Sequence, residues 1–109
     1  MINLLPSGGF EIILKDSIVK GKFGAFSLKK YSYLKGGLEF TAAIKSLSEG
    51  SELEIIDNSL KFILCAVEGT YTELDVLGWI EEMGGFDDEY KKLMAHFMDG
   101  FMPKKKATE

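Results

Sequence analysis

The sequence predicts a mainly α-helical single domain in which an N-terminal β-hairpin precedes about five short-to-medium helices. Three observations carry that reading. Ser51 with Glu54 and Thr72 with Asp75 have the Ser/Thr-x-x-acid spacing with which a side chain satisfies a free backbone N–H at a helix start. Apolar residues downstream of both recur at steps of three and four. The pairs Gly36-Gly37 and Gly84-Gly85 stand where helical patterns stop. At 109 residues, 46% hydrophobic and 28% charged, the chain suits one globular core and not a disordered segment. Residues 1–103 are read as that domain, and 104–109 as a disordered basic tail.

The hairpin is expected from Phe10–Leu14 and Ile18–Lys22, two β-prone runs about a turn at Lys15-Asp16-Ser17. A first helix over Phe23–Leu34 would turn Phe23, Phe26, Tyr31 (or Lys30) and Leu34 inward. A second, over Leu38–Leu47, would bury Phe40, Ala43, Ile44 and Leu47. The third opens at Ser51 with an apolar stripe of Leu53, Ile56, Leu60, Ile63, Leu64 and Val67. Ile55, Phe62, Cys65 and Ala66 widen that stripe, so this helix should lie at the centre, and Gly69 ends it. The fourth begins at Thr72 and presents Val76, Trp79, Ile80 and Met83 to the core. The fifth is marked by Phe86, Tyr90, Leu93, Phe97 and Phe101, with Asp87, Asp88 and Glu89 at its electropositive start.

Charge is distributed unevenly. Residues 1–47 hold seven Lys against three acids, a net +4, whereas residues 48–109 hold six Lys against fourteen acids, a net −8. Seven acids and no base lie between Glu73 and Glu89. Nucleic acid is therefore not an expected partner, since phosphate contacts need clustered cations and the chain has no Arg. A membrane is not expected either, because no apolar run approaches the roughly 18 residues of a span. Met1–Phe10 lacks the basic start and small-residue cleavage site of a secretory leader, and one cysteine makes no internal disulfide, so a reducing cytoplasm is the expected setting. The acidic stretch is either a solvated helical face or a patch for a basic partner, such as the N-terminal half of a second copy.

No catalytic constellation is expected. His96 is the only histidine, and Cys65 sits in the most hydrophobic helix with no spacing that suggests a third, orienting group. One Cys and one His cannot supply a protein-only zinc site. Asp87-Asp88-Glu89 lacks the alternate acids and central glycine of a calcium loop. Neither Gly8-Gly9 nor Gly36-Gly37 is followed by the Gly-Lys-Ser/Thr of a phosphate loop. No cofactor is expected. What stands out is apolar surplus near the C-terminus: Trp79, Met83, Phe86, Met94, Phe97, Met98, Phe101 and Met102 crowd 24 residues. Of these, Trp79, Met83, Met94, Phe97, Met98, Phe101 and Met102 are the candidate protein-binding residues, with Met94, Met98 and Met102 nearer the edge of the inner stripe. Thioethers repack readily, and tryptophan is enriched at interface hot spots.

The order hairpin, Lys22-Phe23-Gly24, helices, then Gly78-Trp79-Ile80-Glu81-Glu82-Met83-Gly84-Gly85-Phe86 resembles the small tail assembly chaperones of long-tailed bacteriophages. The resemblance spans roughly Phe10 to Met102 and is most specific in the Trp-Ile-acid-acid-Met-Gly-Gly string. It implies a non-catalytic helical protein of the host cytoplasm, absent from the mature virion. Such a protein coats the hydrophobic tape measure protein and keeps it soluble until tail tube protein polymerises around it. It also implies that a longer product can arise by ribosomal frameshifting, for which Lys104-Lys105-Lys106 would be a suitable place if encoded by adenine runs. A solubilising tail explains those lysines equally well. The alternatives are a small structural protein of such a virus, a head–tail connector or tail component, and below it an enzyme subunit or ligand-binding domain.

Overall fold

The computed structural model describes the backbone of residues 1–101 and the side chains of residues 1–98. The chain opens with β1 (Ile2–Leu4), a single 3-10 turn (Pro6–Gly8), β2 (Gly9–Ile13) and β3 (Ile18–Lys22). Five helices follow: α1 (Ala25–Leu34), α2 (Phe40–Ser46), α3 (Glu52–Ala66), α4 (Glu73–Glu82) and α5 (Asp88–Phe101). The expected hairpin is β2–β3, paired antiparallel with Ile12 opposite Val19 and closed by the Leu14 N–H donating to the Ser17 carbonyl. To it the structure adds β1, which places Ile2 opposite Ile12. β1 is short and its pattern of burial is weak, so only the partner strand specifies it.

Alternation along β2 and β3 sends Phe10, Ile12 and Val19 into the core. Gly21, opposite Phe10, is required by close approach: a Cβ there would stand 2.4 Å from the Phe10 ring. β3 also meets the chain as it leaves α3, through a bridge from Gly21 to Val67 and a bond from the Glu68 N–H to the Lys20 carbonyl. The sheet is thereby fastened to the helices along one edge.

α3 is the central helix. Its start carries the expected reciprocal cap: the Glu54 N–H donates to Ser51 Oγ (3.2 Å) and the Ser51 N–H to Glu54 Oε1 (2.9 Å). Phe62 is fully buried and serves as a hub, stacking on Phe23 (ring centroids 5.1 Å) and meeting Tyr31 (5.5 Å) and Phe97 (4.6 Å) edge-on. Phe10 extends the cluster through Phe23 at 4.6 Å. One chain of rings thus joins the sheet, α1, α3 and α5, each pair adding about 0.5–1.5 kcal/mol beyond its buried area. Polar pins fix the first three helices. Asn58 of α3 accepts from Lys35 Nζ at 2.7 Å and donates to the Ser46 carbonyl at 3.1 Å. The Tyr31 hydroxyl donates to Ser46 Oγ (2.6 Å), which itself donates to the Ala43 carbonyl.

Several inward assignments change. Phe23 precedes α1, since Gly24 is extended and the helix starts at Ala25; its ring reaches the core without setting the phase of the helix. The inner face of α1 is Ser27, Leu28, Tyr31 and Ser32, which leaves Phe26 85% and Leu34 52% exposed. Phe40 and Leu53 stand in the first turns of α2 and α3 and are 51% and 80% exposed. Phe86 lies before α5 and is partly exposed. The inner residues of α4 are as expected: Val76, Trp79 and Ile80 are buried and Met83 packs against them. Gly36, Gly37, Gly84 and Gly85 all have positive φ, as helix-ending glycines commonly do. The expected tail, 104–109, lies outside the described residues.

Candidate protein-binding surfaces

The candidate set divides by depth. Phe97 is fully buried in the ring cluster, and Trp79 is 8% exposed, edge-on to Tyr71 at 4.8 Å. Both belong to the core and support a surface from beneath. Met83 is half-buried on α4. Met94 and Met98 are half-buried on α5 and line one groove. The side chain of Phe101 and the whole of Met102 lie outside the described residues.

That groove, about 240 Å³, runs between α5, the end of α2 and the first half of α3. Leu47, Ile55, Met94 and Met98 make its apolar floor, with Ser48, Ser59, Tyr90 and Lys91 around it. Burial pushes the Tyr90 phenol up, and its hydrogen bond with Ser59 partly offsets this, so the hydroxyl stays protonated. Lys91 keeps its ammonium at the rim, 3.9 Å from Asp87. Two adjacent thioethers at helical i, i+4 spacing give this floor a shape that adapts to what lies on it.

Two further surfaces escaped the sequence reading. On α4 the face away from Val76 forms a larger groove, about 590 Å³, lined by Leu74, Leu77, Gly78, Ile80, Glu81 and Phe86 among others. Leu74 is 78% exposed and Leu77 38%. A Cβ on Gly78 would meet nothing within 4 Å, although glycine inside a helix costs about 0.5–1 kcal/mol relative to alanine. On α1 the outward face carries Phe26, Lys29, Lys30 and Tyr33, with Lys29 Nζ 5.9 Å from the Tyr33 ring centre. Leu74 and Leu77 fall off the Val76–Trp79–Ile80–Met83 stripe, a signal present in the spacing, whereas Phe26 stands on the expected Phe23–Tyr31–Leu34 stripe and periodicity does not mark it as outward.

The acidic stretch is partly committed within the chain. Glu73 pairs with Lys61 at 3.5 Å, Asp75 caps α4, and Glu82 accepts from the Lys15 N–H. Glu89 accepts from the Ile2 N–H at 2.7 Å, which ties β1 to α5. Among the described residues no group of three or more His, Cys, Asp and Glu side chains is arranged to hold a metal ion. Cys65 is half-buried, and burial raises its thiol above the usual range, which disfavours the nucleophilic thiolate. His96 Nε2 donates to the Gly9 carbonyl at 2.9 Å, pinning α5 to the start of β2. No described helix is long and apolar enough to cross a membrane.

Comparison with protein-family models, curated proteins and solved structures finds no match to this chain.

Proposed function

We propose that this protein is a non-catalytic chaperone of the phage tail assembly type, which holds a long apolar helical client, the tape measure protein, in the host cytoplasm. On this reading it yields that client to tail tube subunits and does not remain in the virion. The observation that carries the reading is the Met94–Met98 groove between α2, α3 and α5. A client that must later be released calls for an apolar, adaptable seat with few fixed polar contacts, and a helix laid in a groove through its apolar face is the ordinary way to fill one. The Trp79–Phe86 string lies on the neighbouring α4 and its Gly84-Gly85 exit, where it sets the approach to α5.

The test is co-expression of the tape measure protein with wild type, Met94→Glu or Met98→Glu, followed by sedimentation. Both methionines are at the rim of the core, so the variants are expected to fold. A carboxylate on the groove floor loses its water when the client docks, and that desolvation disfavours binding. The expected outcome is client in the pellet with either variant and in the supernatant with wild type. Folded variants that keep the client in solution as well as wild type would overturn the assignment of this groove.

A further inference from the structure

Helix α1 carries two unlike faces. Ser27, Leu28, Tyr31 and Ser32 turn inward, and Phe26, Lys29, Lys30, Tyr33 and Leu34 turn outward. At 3.6 residues per turn the outward five fall within an arc of roughly 140° and an axial length of roughly 12 Å. Phe26 is 85%, Tyr33 70% and Leu34 52% exposed, so three large apolar side chains project into water from one stripe. Lys22 and Phe26 line one shallow hollow of about 250 Å³, which brings a third ammonium beside the ring. Residues 17–38, which include α1, hold five Lys and no acid. Among the described residues, Lys22, Lys29 and Lys30 form no ion pair within the chain, so the fold leaves their charge unneutralised.

We infer that this face docks peripherally on an anionic lipid bilayer. Docking on a bilayer surface, unlike crossing it, needs no spanning helix. It needs a basic helix face whose apolar side chains reach the acyl boundary. Phe26 and Leu34 enter that boundary, and Tyr33 rests at the headgroup level, where its ring and hydroxyl suit both media. Lys22, Lys29 and Lys30 meet the headgroup phosphates. The inner face of α1 stays packed on α3, so the helix is already formed when it meets lipid. The seven acids between Glu73 and Glu89 lie on α4 and around the start of α5, and they fix the orientation, since only the α1 side is attracted. Other polyanions fit this face less well. Phe26 and Tyr33 are two turns apart, roughly 10 Å, too far to clasp one nucleobase between them. Side chains that project singly also offer no concave seat for a partner helix. This inference stands apart from the chaperone reading and concerns different residues.

The test is co-sedimentation of the whole chain with sucrose-loaded vesicles, either phosphatidylcholine alone or an equal mixture of phosphatidylcholine and phosphatidylglycerol. Wild type should pellet with the mixed vesicles and bind the neutral ones at least about tenfold more weakly. Raising salt from about 50 mM to about 500 mM should release it, because the attraction between ammonium and phosphate is screened. Phe26→Asp and Lys29→Glu/Lys30→Glu should each weaken binding at least about tenfold. Circular dichroism and thermal unfolding should show both variants as stable as wild type, since all three side chains are exposed. Phe26→Ala separates insertion from adsorption: it keeps every charge and should still bind about fivefold more weakly. Leu74→Ala, at an apolar side chain equally exposed on α4, should bind as wild type does. Phe26→Trp should show blue-shifted emission with the mixed vesicles, against the steady signal of buried Trp79. Wild type that stays in the supernatant, equal binding to both vesicles, folded variants that bind like wild type, or a loss with Leu74→Ala as large as with Phe26→Ala would each overturn the proposal. So would a single-stranded oligonucleotide that wild type binds more tightly than the mixed vesicles.

Discussion

Helices α3 and α4 begin with the same device and end in different surroundings. Ser51 with Glu54 and Thr72 with Asp75 make the same reciprocal pair of bonds, at 3.2 and 2.9 Å in α3 and at 3.3 and 2.8 Å in α4. Each helix then carries an apolar stripe that is buried. The difference lies on the far side. α3 is covered by α1, α2, α4 and the ring cluster, so Phe62, off the main stripe, is as buried as Ile63. α4 packs by one face only, and its Leu74, Leu77 and Gly78 look outward. Local signals therefore define a helix, while the number of neighbours decides whether its off-stripe apolar residues become core or surface.

The comparison is broken most severely through α3. Phe62→Ala removes the hub of the ring cluster and should cost about 3–5 kcal/mol, and Ile63→Ala about 2–4 kcal/mol, in urea unfolding. A loss below about 0.5 kcal/mol for either would mean that α3 is not the centre of the core. The caps sharpen the likeness: Ser51→Ala and Thr72→Ala should each cost about 1 kcal/mol, and similar values would show that the helix starts are equivalent despite unequal burial. Gly78→Ala should raise the stability of the monomer by up to about 1 kcal/mol, since the added methyl meets no atom. Leu74→Ala should change it by less than about 0.5 kcal/mol, in contrast to any leucine on the inner stripe of α3.

Cys65 reports on how well α3 is covered. Burial holds its thiol above the ordinary range, so at mildly alkaline pH the folded protein should react with iodoacetamide more slowly than the same chain in denaturant. The unfolded thiol ionises first, so this contribution to stability is complete below the unfolded pKa and declines as pH rises towards the folded one. Equal alkylation rates in native and denaturing buffer would place Cys65 on an open face.

Much of the fold is legible in the residues. The hairpin, five helices, both reciprocal caps and the glycine exits follow from local chemistry that needs no tertiary partner. What is not legible depends on contacts distant in sequence. β1 exists because Ile2 and Leu4 find β2 and because Glu89 of α5 accepts the Ile2 N–H, a bond across 87 positions. Phe23 is core and Phe26 surface because Gly24 breaks the run between them, which periodicity alone cannot separate. Within the candidate site, Met94 and Met98 lie at the edge of the α5 stripe, as their spacing implies, whereas the crowding of Trp79 and Phe97 reflects core packing. The α4 groove is not legible because spacing shows that Leu74 and Leu77 lie off the inner stripe but not whether a neighbouring element covers them.

The most direct measurement of the central claim is methyl NMR of the protein labelled at its methionines, titrated with an amphipathic helical segment of the tape measure protein. Four of the five methionines lie among the described residues and read different places: Met94 and Met98 line the groove, Met83 packs at the end of α4, and Met1 stands before β1. The account predicts that the Met94 and Met98 methyls shift and saturate together while Met1 and Met83 hold still. Shifts confined to Met83, or none at Met94 and Met98 when the segment is bound, would contradict it.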